Sequence, residues 1–261
     1  IYSLLGGIRT VIWIDGFQFI LYISGGLISV FYLLSYIDQP LDRITGILIE
    51  LDKLKVFQFQ GDLISDPYIF LSAIIGGVFL SFASHGADYM MVQRVLVTKD
   101  LTSARKAMIG SGVFVFLQFA LFLFIGSLLF VYFDGAYIEK DREFSTFVVN
   151  HLPIGIKGIL IAGILSAAMS TISSSINALT SSTVNDWLDR TGSIKKSQLI
   201  GLFWGLVLMT IALLFDESDK ALVIIGLEIA SFTYGGLLGL FILSKLKIKL
   251  KTISLVVGLI L

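Results

Sequence analysis

Polar residues cluster at a few points within the otherwise apolar stretches of this 261-residue chain. The richest cluster begins at Ser166 and ends at Asn177, and six hydroxyl side chains occur in its first ten residues. In a helix, which turns about 100° per residue, Ser166, Ser170 and Ser173 share one face with Asn177. Clustered hydroxyls and a freed backbone carbonyl could bind a hard cation such as sodium. Small residues whose hydroxyls bond back to their own helix could equally serve close helix packing, so both interpretations stay open here.

Three other polar positions within apolar stretches are candidates for chemistry. Asp15, followed one turn later by Gln18, is either hydrated near a membrane interface or faces other helices and neutralises a cation. Residues 81–88 place hydroxyls, a histidine and a glycine in an apolar helix, and discontinuous helices of this kind form substrate sites in transporters. A packed or interfacial position is the simpler interpretation of His85 alone. Glu228 requires either a partner on a neighbouring helix or a functional role.

The composition excludes several classes of protein. Hydrophobic residues make up 56% of the chain, charged residues 15%, and the mean hydropathy is +0.91. Soluble domains carry about a quarter charged residues, so this chain can neither coat a soluble globule nor be intrinsically disordered. A net charge of zero gives no basic footprint for nucleic acid, and the absence of cysteine excludes disulfides and thiolate chemistry. HExxH, GxSxG and Walker A motifs are also absent. We therefore predict that the protein is not an enzyme, uses no cofactor and binds no nucleic acid.

Long apolar runs define the expected architecture. A bilayer core about 30 Å thick is crossed by about 20 helical residues, and the runs are too continuous for the alternating strands of a β-barrel. Six complete runs and a truncated seventh fit this length: 11–36, 68–91, 108–133, 158–183, 199–215, 221–243 and 253–261. The chain starts without methionine and stops within an apolar run. We expect an internal piece of an all-α polytopic membrane protein, with residues 1–261 in a single transmembrane domain.

Charge distribution predicts the topology of these spans in the lipid bilayer. One alternating set of connecting segments carries twelve basic and three acidic residues, whereas the other carries seven basic and thirteen acidic residues. Because Lys and Arg accumulate on the cytoplasmic side, Arg9 and the segment from Lys245 to Lys251 are predicted to face the cytoplasm in a plasma-membrane protein. Residues 37–67, 134–157 and 216–220 would then lie outside. The first two of these segments mix apolar and charged positions, which indicates surface helices lying against the bundle.

Four segments of the chain resemble motifs of the sodium:solute symporter family. Residues 2–18 are similar to "YT..GG..AV.WTD..Q" with Ile14 in place of threonine, residues 86–94 to "GxDQxxVQR" with Tyr89 in place of glutamine, residues 167–177 to "AAxMSTxxSxLN", and residues 235–241 to "GPLLGxF" without its proline. In this order and spacing the motifs extend over nearly the whole chain. The resemblance implies a LeuT-like fold with a core of two inverted five-helix repeats. This chain would supply the last helix of the first repeat and all of the second.

The resemblance also implies which residues bind the transported ion and solute. The principal sodium site would use the Ala167 carbonyl and the hydroxyls of Ser170 and Thr171. Some family members bind a second sodium, and the residues matching that site are Ser170, Ser173, Ser174 and Asp15. Sodium would be the coupling ion rather than a cofactor.

The implied substrate position is beside Ser81, Ser84 and His85, with Glu228 as a further candidate. These assignments predict a sodium-coupled symporter that imports a small organic solute or anion by alternating access, with no oligomer required. Two alternatives remain. A proton-coupled transporter would use Asp15, His85 or Glu228 as relays, and a transporter-like sensor module would be fused to a histidine kinase.

Overall fold

The computed structural model describes residues 2–63, 66, 68–135, 141–188, 193–215, 222–246 and 251–260. Ten α-helices occur in these residues: α1 (Tyr2–Tyr36), α2 (Leu41–Glu50), α3 (Phe70–Gly86), α4 (Tyr89–Leu96), α5 (Leu101–Tyr132), α6 (Glu143–His151), α7 (Ile154–Ser182), α8 (Ile194–Leu214), α9 (Leu222–Lys245) and α10 (Thr252–Ile260). A π-helical turn, Thr183–Trp187, continues α7. Within the same residues, β pairing is limited to one isolated parallel bridge between Gln58 and Ile69.

Helices long and apolar enough to cross a membrane confirm the helical membrane fold. By length and composition, the described residues contain five such helices: Arg9–Tyr36 of α1, α5, α7 with its π-helical turn, α8 and α9. The pair α3 and α4 qualifies together as a sixth, bent by 59° at its break. The described residues therefore contain five candidate membrane spans, or six if α3 and α4 together form one span. Some charged residues that entered the predicted topology lie outside the described residues: Glu139, Lys140, Asp189, Arg190, Lys247, Lys249 and those of 216–220.

Two compact units divide the chain. The first consists of Ile1–Lys53 and Thr98–Asp219, and it contains α1, α2 and α5 to α8. The second consists of Leu54–Val97 and Lys220–Leu261, and it contains α3, α4, α9 and α10.

Close helix approach at glycines organises the first unit. In α1, a Cβ added at Gly26 would lie 3.0 Å from Leu121 Cδ2 and 3.2 Å from Phe122 Cζ of α5. In α7, a Cβ added at Gly163 would lie 3.5 Å from the backbone oxygen of Leu21 in α1. Small residues allow this approach of helices in a membrane, where tight packing replaces the hydrophobic drive of water.

The two short helices α2 and α6 confirm the surface helices expected in residues 37–67 and 134–157. Ile44 and Leu48 of α2 are buried, as are Phe147 and Val148 of α6. All four belong to one hydrophobic cluster with side chains of α1 and α5. Each helix thus stays in place through one apolar stripe packed on the long helices.

α2 occupies only part of the apolar pattern in residues 37–67. It ends at Glu50, and Leu51 and Leu54, which follow the buried Leu48 at intervals of three residues, are exposed. Asp52 has a φ of 55°, which is the left-handed conformation that ends a helix. The spacing of apolar residues therefore continues beyond the residue at which the helix ends.

The broken pair of helices confirms an interruption inside the second apolar run. That run was predicted to end at residue 91, whereas α3 ends at Gly86 and α4 continues to Leu96. Asp88 explains the difference because its Oδ1 accepts a 2.8 Å hydrogen bond from the Met90 backbone nitrogen and so starts a second helix. Gln93, which resembled the end of the run, is a buried residue of α4.

Asp100 caps the next helix in the same manner. Its Oδ1 accepts a hydrogen bond from the backbone nitrogen of Ser103 at 2.7 Å, at the start of α5. This hydrogen bond lowers the pKa of the Asp100 carboxyl below its usual range, because it favours the charged form.

Candidate functional site

Asp15 of α1 and Ser170 of α7 are in direct contact in the first unit. The Ser170 hydroxyl donates a hydrogen bond to Asp15 Oδ1 at 2.6 Å, and both residues are half-buried. Asp15 therefore faces another helix, which was one of the two alternatives left open by its position in the sequence. The contact brings together two of the residues that the resemblance assigns to a sodium site.

Two more serines of α7 extend this group of oxygens. Ser173 and Ser174 are buried, and the Ser173 hydroxyl donates to the Ser170 backbone oxygen at 3.0 Å. A hydroxyl that donates its proton to a carbonyl still has lone pairs available for a cation. Ser170, Ser173 and Ser174 thus lie within about one turn of α7, and Ser170 contacts Asp15 of α1.

Thr171 and Ala167 form a second pair of oxygens on α7. The Thr171 hydroxyl donates to the Ala167 backbone oxygen at 3.3 Å, and Thr171 is exposed. Oxygen ligands of hard cations lie about 2.3–2.6 Å from the ion, so two oxygens at this separation can contact the same ion. This hydrogen bond is also the ordinary back-bond of a threonine in a helix, and the pair satisfies both interpretations.

Gln18 is a further oxygen donor, to which the sequence interpretation gave no role of its own. It follows Asp15 by one turn of α1, its side chain is 6% exposed, and its Oε1 is enclosed with no hydrogen-bond partner among the described residues. A buried amide oxygen without a partner costs about 1–3 kcal/mol. The sequence feature that could have identified Gln18 is an amide side chain three residues after an acidic residue within an apolar run.

The predicted substrate residues of α3 lie together in the second unit. The Ser84 hydroxyl donates to the Ser81 backbone oxygen at 3.3 Å, and its Oγ lies 2.8 Å from His85 Nδ1. These residues occupy the last turns of α3, just before the break. His85 is half-buried and in contact with a neighbouring hydroxyl.

Asp88, at the break between α3 and α4, is hydrogen-bonded to α9. Tyr234 donates a hydrogen bond from its phenolic oxygen to Asp88 Oδ2 at 2.8 Å. Glu228, the other predicted substrate residue, lies six positions earlier on α9 and is exposed. Its backbone oxygen accepts a hydrogen bond from the Ser231 hydroxyl at 2.7 Å.

Two cavities in the described residues do not include the predicted site residues. A groove of about 350 Å³ between α3 and α9 is lined by Gly76, Phe79, Leu80, Ala83, Ser231, Tyr234, Gly235 and Leu238. A cavity of about 620 Å³ lies in the first unit beside the second half of α5 and the start of α6. Neither cavity is therefore centred on the candidate sites.

Long apolar helices, a carboxylate bonded to a hydroxyl of another helix and a capped helix break together define a multi-pass helical membrane protein. The model of the Sodium:solute symporter family matches residues 1–244. The chain belongs to this family, whose members are transporters and not enzymes.

Individual relatives agree with this family. The chain is 32% identical over 189 residues to the sodium/sialic acid symporter SiaT of Proteus mirabilis, covering 69% of this chain and 38% of that protein. It is 25% identical over 259 residues to the human sodium/iodide cotransporter, covering 93% of this chain and 40% of that protein. A solved substrate-bound outward-open state of a Na⁺-coupled sialic acid symporter matches with a TM-score of 0.76 and 26% identity, over 93% of this chain and 52% of that chain. The chain thus spans about half or less of the length of these relatives.

Proposed function

We propose that the protein containing this chain is a sodium-coupled symporter that imports a small organic solute or anion by alternating access. The observation that carries the proposal is the hydrogen bond between Ser170 and Asp15, which joins α7 to α1 at membrane depth. The carboxylate and the hydroxyl are both oxygen ligands that a bound sodium ion can contact, and a charged group at membrane depth is a candidate for function. Family membership supports the same function.

Two sodium positions follow from the oxygens of α7. The first uses the Ala167 carbonyl with the hydroxyls of Thr171 and Ser170. The second uses Asp15 with the hydroxyls of Ser170, Ser173 and Ser174. Ser170 is common to both positions, so its hydroxyl would link the occupancy of one ion to that of the other.

Sodium provides the driving force because it enters with its charge. Each cotransported ion contributes about 2.3 kcal/mol per 100 mV of membrane potential, in addition to its concentration gradient. Sodium bound from outside favours the outward-open state and orders the solute site. By linkage, solute then raises the affinity for sodium by the same factor.

The solute contacts proposed for this chain are Ser81, Ser84 and His85 at the end of α3, together with Glu228 of α9. The relatives described above are named for sialic acid and iodide, so an anion is the class to test first. Hydroxyl and imidazole donors at the end of α3 can bind such a group.

We further propose that the protein lies in the plasma membrane, with Arg9 and the segment from Lys245 to Lys251 in the cytoplasm. The chain would form part of one transmembrane domain, as the last helix of one inverted repeat and the whole of the next. The TM-score of 0.76 with a solved symporter supports this assignment. No oligomer is needed for the mechanism.

The decisive experiment is uptake by the full-length protein in proteoliposomes. Labelled sialic acid and iodide are offered under an inward sodium gradient, under an equal potassium gradient, and under a pH gradient alone. We expect uptake with sodium only and a loss of most uptake in Thr171→Ala. Ser175→Ala is the matched control, because the Ser175 hydroxyl bonds back to the Thr171 backbone oxygen within the same helix.

Uptake that is indifferent to sodium and to Thr171→Ala would overturn sodium coupling. Uptake driven by the pH gradient would instead identify a proton-coupled transporter. A histidine kinase domain in the full-length protein whose autophosphorylation responds to solute, with no uptake, would identify a sensor.

A further inference from the structure

We propose that Tyr234 is a positioning residue for solute binding. Through its hydrogen bond to Asp88 it holds α4 at its angle to α3 and thereby keeps the polar end of α3 in its solute-binding arrangement. This inference rests on the proposed function for its consequence, but its structural part can be tested without any solute.

The two carboxylate oxygens of Asp88 make two different hydrogen bonds. Oδ1 accepts from the Met90 backbone nitrogen at 2.8 Å and caps α4. Oδ2 accepts from the Tyr234 hydroxyl of α9, also at 2.8 Å. One side chain therefore both starts α4 and fastens that start to a neighbouring long helix.

The joint between α3 and α4 is short. The backbone nitrogens of Ala87 and Asp88 both donate to the Ala83 backbone oxygen at 3.0 Å, and α4 begins immediately afterwards at Tyr89. The two helices differ in direction by 59°. A helix of eight residues, the length of α4, has little stability of its own and takes its direction from tertiary contacts.

α9 contacts both sides of this joint through one residue. The Tyr234 ring lines the groove that separates α3 from α9, together with Ala83 and Gly235, while its hydroxyl reaches the start of α4. Ala83 is also the residue whose carbonyl accepts both backbone hydrogen bonds of the joint. Tyr234 is thus in a position to fix the bend against α9.

Capping alone does not explain a side chain with two polar atoms at this position. Serine caps helices as well as aspartate does, and it avoids placing a charge in a membrane-spanning pair of helices. A second polar atom on the capping side chain is required when that side chain must also bind Tyr234. A buried tyrosine hydroxyl seeks any acceptor, but here its acceptor is the residue at which the helix direction changes.

The polar end of α3 depends on this joint. His85 precedes Asp88 by three residues, and Ser84 and His85 contact each other through their side chains. A change in the direction of α4 would alter the turn that carries them. The sodium residues Asp15 and Ser170 belong to the other compact unit, so loss of the Tyr234 bond should act on solute binding rather than on sodium binding.

Four substitutions separate the two hydrogen bonds of Asp88. Tyr234→Phe removes only the bond to α9. Asp88→Ser keeps a capping oxygen but is too short to reach Tyr234, whereas Asp88→Ala removes both bonds. Asp88→Asn keeps both, because its amide oxygen can cap α4 while its NH₂ donates to the tyrosine oxygen. Thr233→Ala is the control, since the Thr233 hydroxyl donates to the Ala230 backbone oxygen within α9.

The first measurement is the distance between spin labels attached at Leu96→Cys in α4 and Ser244→Cys in α9 of the full-length protein, with other cysteines replaced. The parent protein, Asp88→Asn and Thr233→Ala should share one narrow distance distribution. Tyr234→Phe and Asp88→Ser should broaden it, and Asp88→Ala should broaden it most. An unchanged distribution in Tyr234→Phe would overturn the proposal.

The second measurement is sodium-driven uptake of labelled sialic acid and iodide. For whichever is transported, Tyr234→Phe should raise the solute KM about tenfold and leave the sodium half-saturation within about twofold of the parent value. That magnitude matches one hydrogen bond to a charged group. A broadened distance distribution with an unchanged solute KM would overturn the positioning role. Absence of sodium-driven uptake in the parent would count against the proposed function, and the distance measurement alone would then decide whether Tyr234 holds the bend.

Discussion

The Ser170 hydroxyl donates a 2.6 Å hydrogen bond to Asp15 Oδ1, across 155 positions of sequence, and thereby links α7 to α1. A carboxylate at membrane depth with a hydroxyl donor as its neighbour can exchange that donor for a cation without leaving the helix interface. The same serine provides its backbone oxygen to Ser173 and precedes Thr171. The two proposed ion positions therefore meet at Ser170.

Asp15→Asn should lower the number of sodium ions transported per solute, because the second proposed position loses its only charge. The measurement is the ratio of labelled sodium to labelled solute taken up by proteoliposomes. Asp186→Asn is the matched control, because Asp186 is an exposed acid beyond the end of α7 that pairs with the Ser182 hydroxyl. An unchanged ratio in Asp15→Asn would contradict the second position.

Removal of single hydroxyls from α7 should distinguish the two ion positions. Ser170→Ala should raise the sodium half-saturation most, about tenfold or more, because it removes a ligand from both positions. Thr171→Ala and Ser174→Ala should each impair one position, so that the sodium dependence of uptake becomes less sigmoidal. Equal, small effects from all three would instead favour a packing role for these hydroxyls. Ser175→Ala serves as the unaffected variant.

Gln18→Leu should affect thermal stability differently with and without sodium. In sodium-free buffer it removes an enclosed amide oxygen that has no partner among the described residues, so the melting temperature should rise or stay constant. If Gln18 Oε1 contacts the bound ion, the stabilisation produced by sodium should shrink in the same variant. The check is a thermal-unfolding titration with sodium, with potassium as the control salt. Full sodium stabilisation in Gln18→Leu would exclude this contact.

Several elements of the fold could be predicted because they depend only on local sequence. Long apolar runs specify membrane-spanning helices, and the predicted runs agree with the observed helices except at their ends. The break near Gly86 was predictable from polar residues inside an apolar run. The continuation of α4 to Leu96 was not, because Gln93 and Arg94 resemble the end of a span, and only the cap at Asp88 shows that a new helix begins there.

Contacts between distant elements could not be predicted in the same way. The sequence identified Asp15 and Ser170 as candidates through a family motif, but their pairing depends on how α1 packs against α7. Tyr234 gave no signal as a partner of Asp88, because an aromatic residue in a membrane helix ordinarily indicates packing. The π-helical turn Thr183–Trp187 was also missed, and there the Trp204 indole nitrogen donates to the Thr183 hydroxyl at 2.9 Å.

Asp100→Ala should destabilise the protein near neutral pH, and the difference from the parent should shrink in acid. The folded-state pKa of Asp100 is depressed by the hydrogen bond from Ser103, so its contribution is fully present above the unfolded value of about 3.9 and is lost as pH falls through the folded value. Melting temperatures of both proteins at pH 7 and at pH values below about 4 provide the check. Asp100→Asn should lie between the parent and Asp100→Ala at pH 7, because its neutral amide oxygen caps α5 without the charge. A difference between the parent and Asp100→Ala that keeps its full size in acid would contradict the assignment.

Gly26→Ala should lower the stability of the protein, whereas Gly46→Ala should raise it. The comparison tests whether the close approach of α1 to α5 stabilises the first unit. A Cβ at Gly26 would meet Leu121 at 3.0 Å and Phe122 at 3.2 Å, so both side chains must move, and such overpacking costs about 1–3 kcal/mol. A Cβ at Gly46 of α2 meets nothing within 4 Å among the described residues, and there alanine should gain about 1 kcal/mol in helix propensity. Melting temperatures in detergent should therefore fall for Gly26→Ala and rise for Gly46→Ala. A rise in both would mean that α5 accommodates the methyl group and that glycine at position 26 is not needed for packing.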